Sequence, residues 1–416
     1  MKYITAEIKM LTELFNRNGY EIFLVGGCVR DMLMDIPPSD FDLATSALPN
    51  QTKEVLKDFR TIDTGLKHGT VTAIIADTPY EITTYRIDRG YSDSRHPDRV
   101  DFTGKLSEDM ARRDFTINAM AMDSEGNVID RYGGREDIEK KIIRAVGNPD
   151  RRFSEDALRI LRALRFSARL GFDIEEKTAK ALVRNSKLLE NISAERIFSE
   201  ISKTLVCEFA PQVVLQFSDV FSRTIFGGQC DKAGHLSCFA DFLQETYLCA
   251  EGAEIRFAAL FEILDVENPK EVLKRLKVSN AFLSETTGIL TCVKEFSDWE
   301  KTTDDAAIEK NLRLMLIDHP EEHVRKALLI KAFCEKNAIN EKAKDLAESV
   351  LRIKASGCFD MRCLAICGND LKAMGIEGRD IGAWLRKVLR EVAKGSLENE
   401  KEKIKAYIKS ALKNES

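Results

Sequence analysis

Between Ile4 and Asn18 the apolar residues recur at helical spacing, which predicts an opening helix. The run EIFLVGG, residues 21–27, is short, apolar and closed by two glycines, and it suits a buried strand. Two further strands are predicted at Thr70–Ala76 and Tyr80–Tyr85, with Asp77, Thr78 and Pro79 as the turn of a hairpin. Residues 1–140 therefore read as mixed α and β. From about residue 138 the pattern changes to repeated i, i+3, i+4 apolar positions, and proline becomes sparse. Nearly everything after Pro149 is predicted helical. The Lys- and Glu-rich stretch Leu385–Lys413 reads as solvated helices or a frayed tail.

A chain of 416 residues with 44% hydrophobic and 31% charged positions fits two to four packed units of an ordinary globular protein. No run reaches the roughly 18–20 apolar residues that cross a bilayer. Early acidic residues and the lack of a small-residue cleavage site argue against a signal peptide. Ten cysteines without a CxxC pair read as mostly reduced, buried thiols of a cytoplasmic protein. Cys230, His235, Cys238 and Cys249 match no zinc spacing. A net charge of −5 excludes a surface that is basic throughout, but leaves room for a local basic groove.

Candidate chemistry begins at F-L-V-G-G-C-V-R-D, residues 23–31. Gly26 and Gly27 between a strand and a helix let backbone N–H groups approach an anion, and Arg30 adds charge nearby. Ser39-Asp40-Phe41-Asp42-Leu43 follows. In a strand, Asp40 and Asp42 would point to one side while Phe41 and Leu43 face the core. Two converging carboxylates repel unless a cation lies between them, and Mg²⁺ is the usual one. Such ions can activate an attacking 3′-hydroxyl and neutralise a leaving pyrophosphate.

The order Gly-Gly, Val-Arg-Asp, Asp-x-Asp and then a hairpin carrying another acid resembles the palm of polymerase β-like nucleotidyltransferases. More closely, it resembles the class II tRNA nucleotidyltransferase and bacterial poly(A) polymerase family. The resemblance implies an α+β chain, with the palm followed by all-α neck, body and tail domains, here residues 1–138, 139–205, 206–330 and 331–416. It implies a third carboxylate on a neighbouring strand, which Glu81 matches, with Asp77 as a fallback. The family's second signature stands here as RRDFTINA, and the likeness implies that Arg113, Asp114 and Asn118 contact ribose and phosphates.

Residues 151–172 read as one helix capped by Ser154, with Glu155, Arg159, Arg162, Arg165 and Arg169 on a stripe at about 100° per residue. That stripe suggests a surface for RNA or triphosphate, and Leu158 and Phe166 fall on its polar side as exceptions. Glu155-Asp156-x-x-Arg159 resembles the family's EDxxR element, in which the aspartate and arginine act as a protein template for the incoming base. Cytosine and adenine each present an amino donor beside a ring-nitrogen acceptor, which an Asp acceptor and an Arg donor satisfy. Guanine and uracil put a carbonyl where the amino group should be, and an unpaired buried acceptor costs roughly 1–3 kcal/mol.

Residues 86–98 form a loop-like segment of alternating charge. In the family such a loop looks necessary for adding the terminal A, so an intact loop favours full CCA addition from CTP and ATP to the 3′ end of tRNA. The likeness runs through about the first 200 residues, closing with AERIFSEI near 194–201. Rivals are a poly(A) polymerase, an enzyme adding only CC or only A, and a non-catalytic RNA-binding protein. The last is disfavoured because binding RNA calls for cations rather than a cluster of acids. The sequence gives no oligomeric state.

Overall fold

Thr5 starts the chain's first helix by accepting a side-chain hydrogen bond from the Ile8 amide, and this helix, α1, spans Ala6–Arg17. Its apolar stripe buries Ile8, Leu11 and Phe15. The computed structural model describes residues 2–63, 65, 69–89, 99–227, 236–248, 252–299, 305–334, 349–353, 355 and 360–415. These divide into two compact units, Met1–Tyr247 with Arg275–Lys277, and Leu248–Lys274 with Val278–Ser416.

The first unit carries a seven-stranded mixed sheet. After α1 come β1 (Ile22–Val25), α2 (Gly27–Leu33), β2 (Phe41–Thr45), α3 (Pro49–Val55), β3 (Arg60–Ile62), β4 (Thr70–Ile75) and β5 (Thr78–Thr84). A small hairpin, β6 (Arg86–Arg89) and β7 (Arg99–Phe102), leads through α4 (Leu106–Ala111) to β8 (Met120–Met122) and β9 (Val128–Asp130). The sheet order is β3-β4-β5-β2-β1-β8-β9. β2 and β5 run parallel, and the other neighbours run antiparallel. Alternation gives the sheet two faces. Leu24, Leu43, Ile82 and Met122 join α1 and α2 in the main core, whereas Val25, Ala44 and Ala121 join Tyr85 and Met110 on the other face.

The β4–β5 hairpin turns one step earlier than expected. Ala76 and Asp77 both have positive φ, 48° and 60°, and Ile75 pairs directly with Thr78. This is a two-residue turn whose twist suits a hairpin. Thr78 and Pro79 therefore belong to β5, and Asp77 occupies the turn.

After α5 (Gly134–Glu139) and β10 (Ile142–Ile143) the unit becomes helical: α6 (Pro149–Glu155), α7 (Leu158–Leu170), the two-residue strand β11 (Asp173–Ile174), α8 (Glu176–Asn185) and α9 (Ala194–Leu205). The single helix predicted over residues 151–172 is in fact two. Asn148 rather than Ser154 caps the first, accepting from the Arg151 amide, and Asp156 breaks the chain with φ −143° and ψ 103°. Asp156 then restarts the helix by accepting from the Leu158 amide at 3.0 Å.

The second unit is helical where it is described. Its last helices, Arg379–Ala393 and Lys401–Glu415, are not frayed. Trp384, Val388, Ile404 and Ile408 pack with Ile366 and Leu371 in a core of their own. The seven described cysteines are free thiols, of which Cys28 and Cys292 are buried and Cys334, Cys363 and Cys367 exposed, so burial is less general than expected. Of the set Cys230, His235, Cys238 and Cys249, only Cys238 lies within the described residues. No helix among the described residues is long and apolar enough to cross a membrane.

Candidate active site

Gly26 links β1 to α2 with φ 78° and ψ −136°, a conformation few side chains tolerate. A Cβ there would meet Arg113 Nη1 at 3.1 Å and Asp42 Oδ2 at 3.8 Å. The glycine thus allows an arginine and a carboxylate to close over the turn. Gly26→Ala is expected to cost about 1–3 kcal/mol in backbone strain and to raise KM for nucleotide by displacing Arg113. Thermal melts and steady-state kinetics check both, and a wild-type KM would refute the second.

Asp42 lies in β2 and pairs in register with Glu81 on the parallel strand β5. Side chains at one level of adjacent strands share a face, so the two carboxylates stand side by side, opposite the Leu43 and Ile82 core face. Asp40 sits one residue before the strand begins, is exposed, and accepts from the Ser39 hydroxyl at 3.1 Å. Burial first, then the charges of Asp40 and Glu81, push the Asp42 carboxyl up to about 6, against the opposing pull of Arg113. A hard, oxygen-seeking cation would relieve that repulsion, so the donor set fits a divalent metal. Among the described residues no three such side chains are already drawn into a metal cage. An ion that takes one or two carboxylates, with water and substrate phosphates completing its shell, needs no such cage.

Beside the acids opens a cleft of about 160 Å³ lined by Asp42, Glu81, Thr70, Thr83, Arg86, Arg112 and Arg113. Two of its cations, Arg112 and Arg113, follow the end of α4, and the third, Arg86, opens β6. The rest of the RRDFTINA segment forms a connected network. Arg30, buried, donates to Asp31 Oδ1 at 2.8 and 2.6 Å and to Asn118 Oδ1 at 2.8 Å. Asn118 Nδ2 donates to Asp114 Oδ1 at 3.3 Å, and Arg162 Nε donates to Asp114 Oδ2 at 2.8 Å. Burial raises the Asp114 carboxyl, but Arg162, the Phe115 amide and Arg159 outweigh it and hold it at about 2. The charge of Arg30 is thus matched by Asp31 and orients Asn118, rather than standing free for an anion.

The arginine stripe is likewise not a bare cationic front. Arg159 Nη1 donates to Glu155 Oε2 at 3.0 Å, Arg162 pairs with Asp114, and Arg165 Nε donates to Glu200 Oε2 at 2.6 Å. Arg169 alone of that stripe is exposed. Phe166 and Leu158, the two exceptions, are buried. The Phe166 ring carries the guanidinium carbons of Arg30, Arg162 and Arg165 at 5.4, 5.2 and 4.6 Å. It also meets Phe115 edge-on at 5.8 Å, tying α7 to RRDFTINA. In the pair expected to read the base, Asp156 Oδ2 accepts from Arg196 Nη2 at 3.4 Å, and Arg159 is also held by the carbonyls of Arg152 and Arg112. Residues 90–98 of the charged loop lie outside the described residues.

Arg86, Arg112 and Asp109 were not singled out from sequence, and Phe166 was noted only as an exception on the polar side of the stripe. For Asp109 a signal existed, since an acid three and four residues before Arg112 and Arg113 is within helical reach of both.

The family model for the poly(A) polymerase head domain matches residues 22–144. The model for the RNA and SrmB-binding site of polymerase A matches residues 171–217, and that for tRNA nucleotidyltransferase domain 2 matches residues 251–408. The chain is 37% identical to the CCA-adding enzyme of Geobacillus thermodenitrificans over 94% of each protein. It is 36% identical to that of Streptococcus pneumoniae over 95% of each. The crystal structure of the Bacillus stearothermophilus CCA-adding enzyme in complex with CTP superposes with a TM-score of 0.78 at 32% identity, covering 100% of this chain and 99% of that one. The Thermotoga maritima CCA-adding enzyme complexed with tRNA shares the fold, at a TM-score of 0.68 and 21% identity. With relatives this similar along nearly its whole length, the chain belongs to the class II CCA-adding enzymes of the tRNA nucleotidyltransferase and poly(A) polymerase family.

Proposed function

We propose that the chain adds CMP, CMP and AMP to tRNA 3′ ends from CTP and ATP, without a nucleic-acid template. The observation that carries this reading is the cleft lined by Asp42 and Glu81 together with Arg86, Arg112 and Arg113. Carboxylates that suit a hard cation and arginines that suit a polyphosphate line the same opening, as metal-assisted nucleotidyl transfer requires.

In this reading Asp40 and Asp42 hold Mg²⁺, and Glu81 adds a third carboxylate beside them. When bound, the ion supplies positive charge at the α-phosphate and lowers the pKa of the attacking 3′-hydroxyl. The chain's own groups do the rest. Gly26 and Gly27 admit the phosphates close to the backbone, and Arg113 neutralises them. Asn118 and Asp114, held by Arg30 and Arg162, grip the ribose. Asp156 accepts from the amino group of cytosine or adenine while Arg159 donates to the ring nitrogen. We place catalysis in residues 1–138 and base selection in 139–205, and assign the tRNA acceptor arm to the helices of 206–330 and 331–416.

Purified protein offered tRNAs ending before CCA, after C and after CC, with Mg²⁺ and one nucleoside triphosphate at a time, tests the assignment. CTP alone should extend the first two, and ATP alone only the third. A lack of any incorporation would refute enzymatic function, and use of ATP on all three would refute ordered addition.

A further inference from the structure

Asp109 is the least exposed carboxylate near the cleft, with its side chain 1% accessible. It lies in α4, which ends at Ala111, and the two arginines that follow fold back onto it. Its Oδ1 accepts from Arg112 Nε at 2.9 Å and Arg112 Nη2 at 2.7 Å. Its Oδ2 accepts from Arg113 Nη2 at 3.0 Å. Oδ1 also accepts from the backbone N–H of Arg86 at 3.4 Å, where β6 begins. One buried carboxylate therefore holds all three chain positions that supply the cleft's cations.

Stability alone does not call for this arrangement. Taking a carboxylate and a guanidinium out of water is costly, and well-packed apolar side chains often replace a buried ion pair without loss. Orientation is a better reason. An arginine side chain has much rotamer freedom to lose, and a guanidinium that must be ordered by its ligand spends binding energy on that loss. Two guanidiniums share this one carboxylate, on the lining of a cleft that also carries Asp42 and Glu81. Arg113 Nε is buried and makes no hydrogen bond, and Arg113 Nη1 donates to the Asn118 carbonyl at 3.5 Å.

We propose that Asp109 is a positioning residue for the triphosphate: it pre-orients Arg112 and Arg113 and fixes the strand start at Arg86, so that the cleft is ordered before nucleotide enters. This rests on reading the cleft as the triphosphate site. Because the triphosphate is common to all nucleotides, Asp109 acts on CTP and ATP alike and not on base choice.

The experiment is a double-mutant cycle on the full chain, using Asp109→Asn, Arg113→Ala and the pair, with KM and kcat measured for CTP and for ATP. Asp109→Asn is expected to raise KM about tenfold for both nucleotides, with kcat changed no more than about threefold. The double variant should raise KM by clearly less than the product of the two single effects, since Asp109 acts in part through Arg113. An unchanged KM in Asp109→Asn, or multiplied effects in the double variant, would overturn the proposal. If Arg113→Ala itself leaves KM unaltered, the triphosphate reading of the cleft fails instead. Asp109→Glu keeps the charge but moves it by one methylene. It should keep a cooperative melting transition while raising KM. Loss of that transition in both Asp109 variants would mean that the carboxylate holds the fold rather than the arginines, which also overturns the proposal.

Discussion

Asp42→Asn is expected to lower nucleotide incorporation on the order of 10³-fold, about 4 kcal/mol of transition-state stabilisation, which is what one ligand of a catalytic cation can supply. CTP and tRNA binding should change little, because the cleft's cations are untouched. The same substitution should make the metal-free protein more stable. Burial, followed by repulsion from Asp40 and Glu81, raises the folded-state pKa of Asp42 to about 6, above the unfolded value near 3.9. A raised carboxyl favours the fold only while it is protonated. Its contribution is complete below about pH 4 and is lost as pH rises through 6. At pH 8 the amide variant should therefore melt higher than wild type by a few degrees, on the order of 2 kcal/mol. At pH 4 the difference should vanish. Added divalent cation should narrow the gap at pH 8 by stabilising only the wild type. Wild-type turnover should fall as pH drops below 6. Melting curves with and without metal at the two pH values decide the matter. A variant less stable than wild type at pH 8 would show that Asp42 is a structural charge and not a strained metal ligand.

Asp156→Ala is expected to reduce use of CTP and ATP about 10²-fold and to erode the rejection of UTP and GTP by a similar factor. Sites built to hydrogen-bond a polar group discriminate strongly because a mismatch leaves buried groups unpaired. Asp156 also caps the Leu158 amide and pairs with Arg196. Truncation therefore carries a separate cost of about 1 kcal/mol in stability. Asp156→Asn separates the two effects. Its amide oxygen can still cap α7, while its NH₂ can face the carbonyl of uracil or guanine. The variant should fold like wild type and admit UTP and GTP. If single-nucleotide competition assays show unchanged discrimination in both variants, base choice lies elsewhere.

How much of this was legible in the sequence differs by element. The strand–glycine–helix unit at Ile22–Leu33 could be read because apolar run, glycine turn and helix start are all local signals. The pairing of Asp42 with Glu81 was reached only through family likeness, since nothing in a sequence says that strands 37 residues apart in start, β2 and β5, become parallel neighbours. The break at Asp156 was missed because apolar periodicity continues across it. The kink is held by long-range contacts, with Arg196 on the acid and Arg112 O accepting from Arg159. The arginine stripe was misjudged for the same reason. Charge spacing showed five residues on one face, but not that Asp114 and Glu200, distant in sequence, would neutralise two of them. Phe166 looked misplaced on a polar face until three guanidiniums were found over its ring. An aromatic among arginines is a stacking platform, with each contact contributing roughly 0.5–2 kcal/mol.

The most direct measurement of the central claim is the length and sequence of the product made on tRNA lacking its 3′ end when all four nucleoside triphosphates are present together. The proposed site, in which Asp156 and Arg159 would accept cytosine or adenine and refuse guanine and uracil, predicts extension by three nucleotides in the order C, C, A and then a stop. A ladder of adenosines running past the third position, or incorporation of G and U alongside C and A, would contradict it.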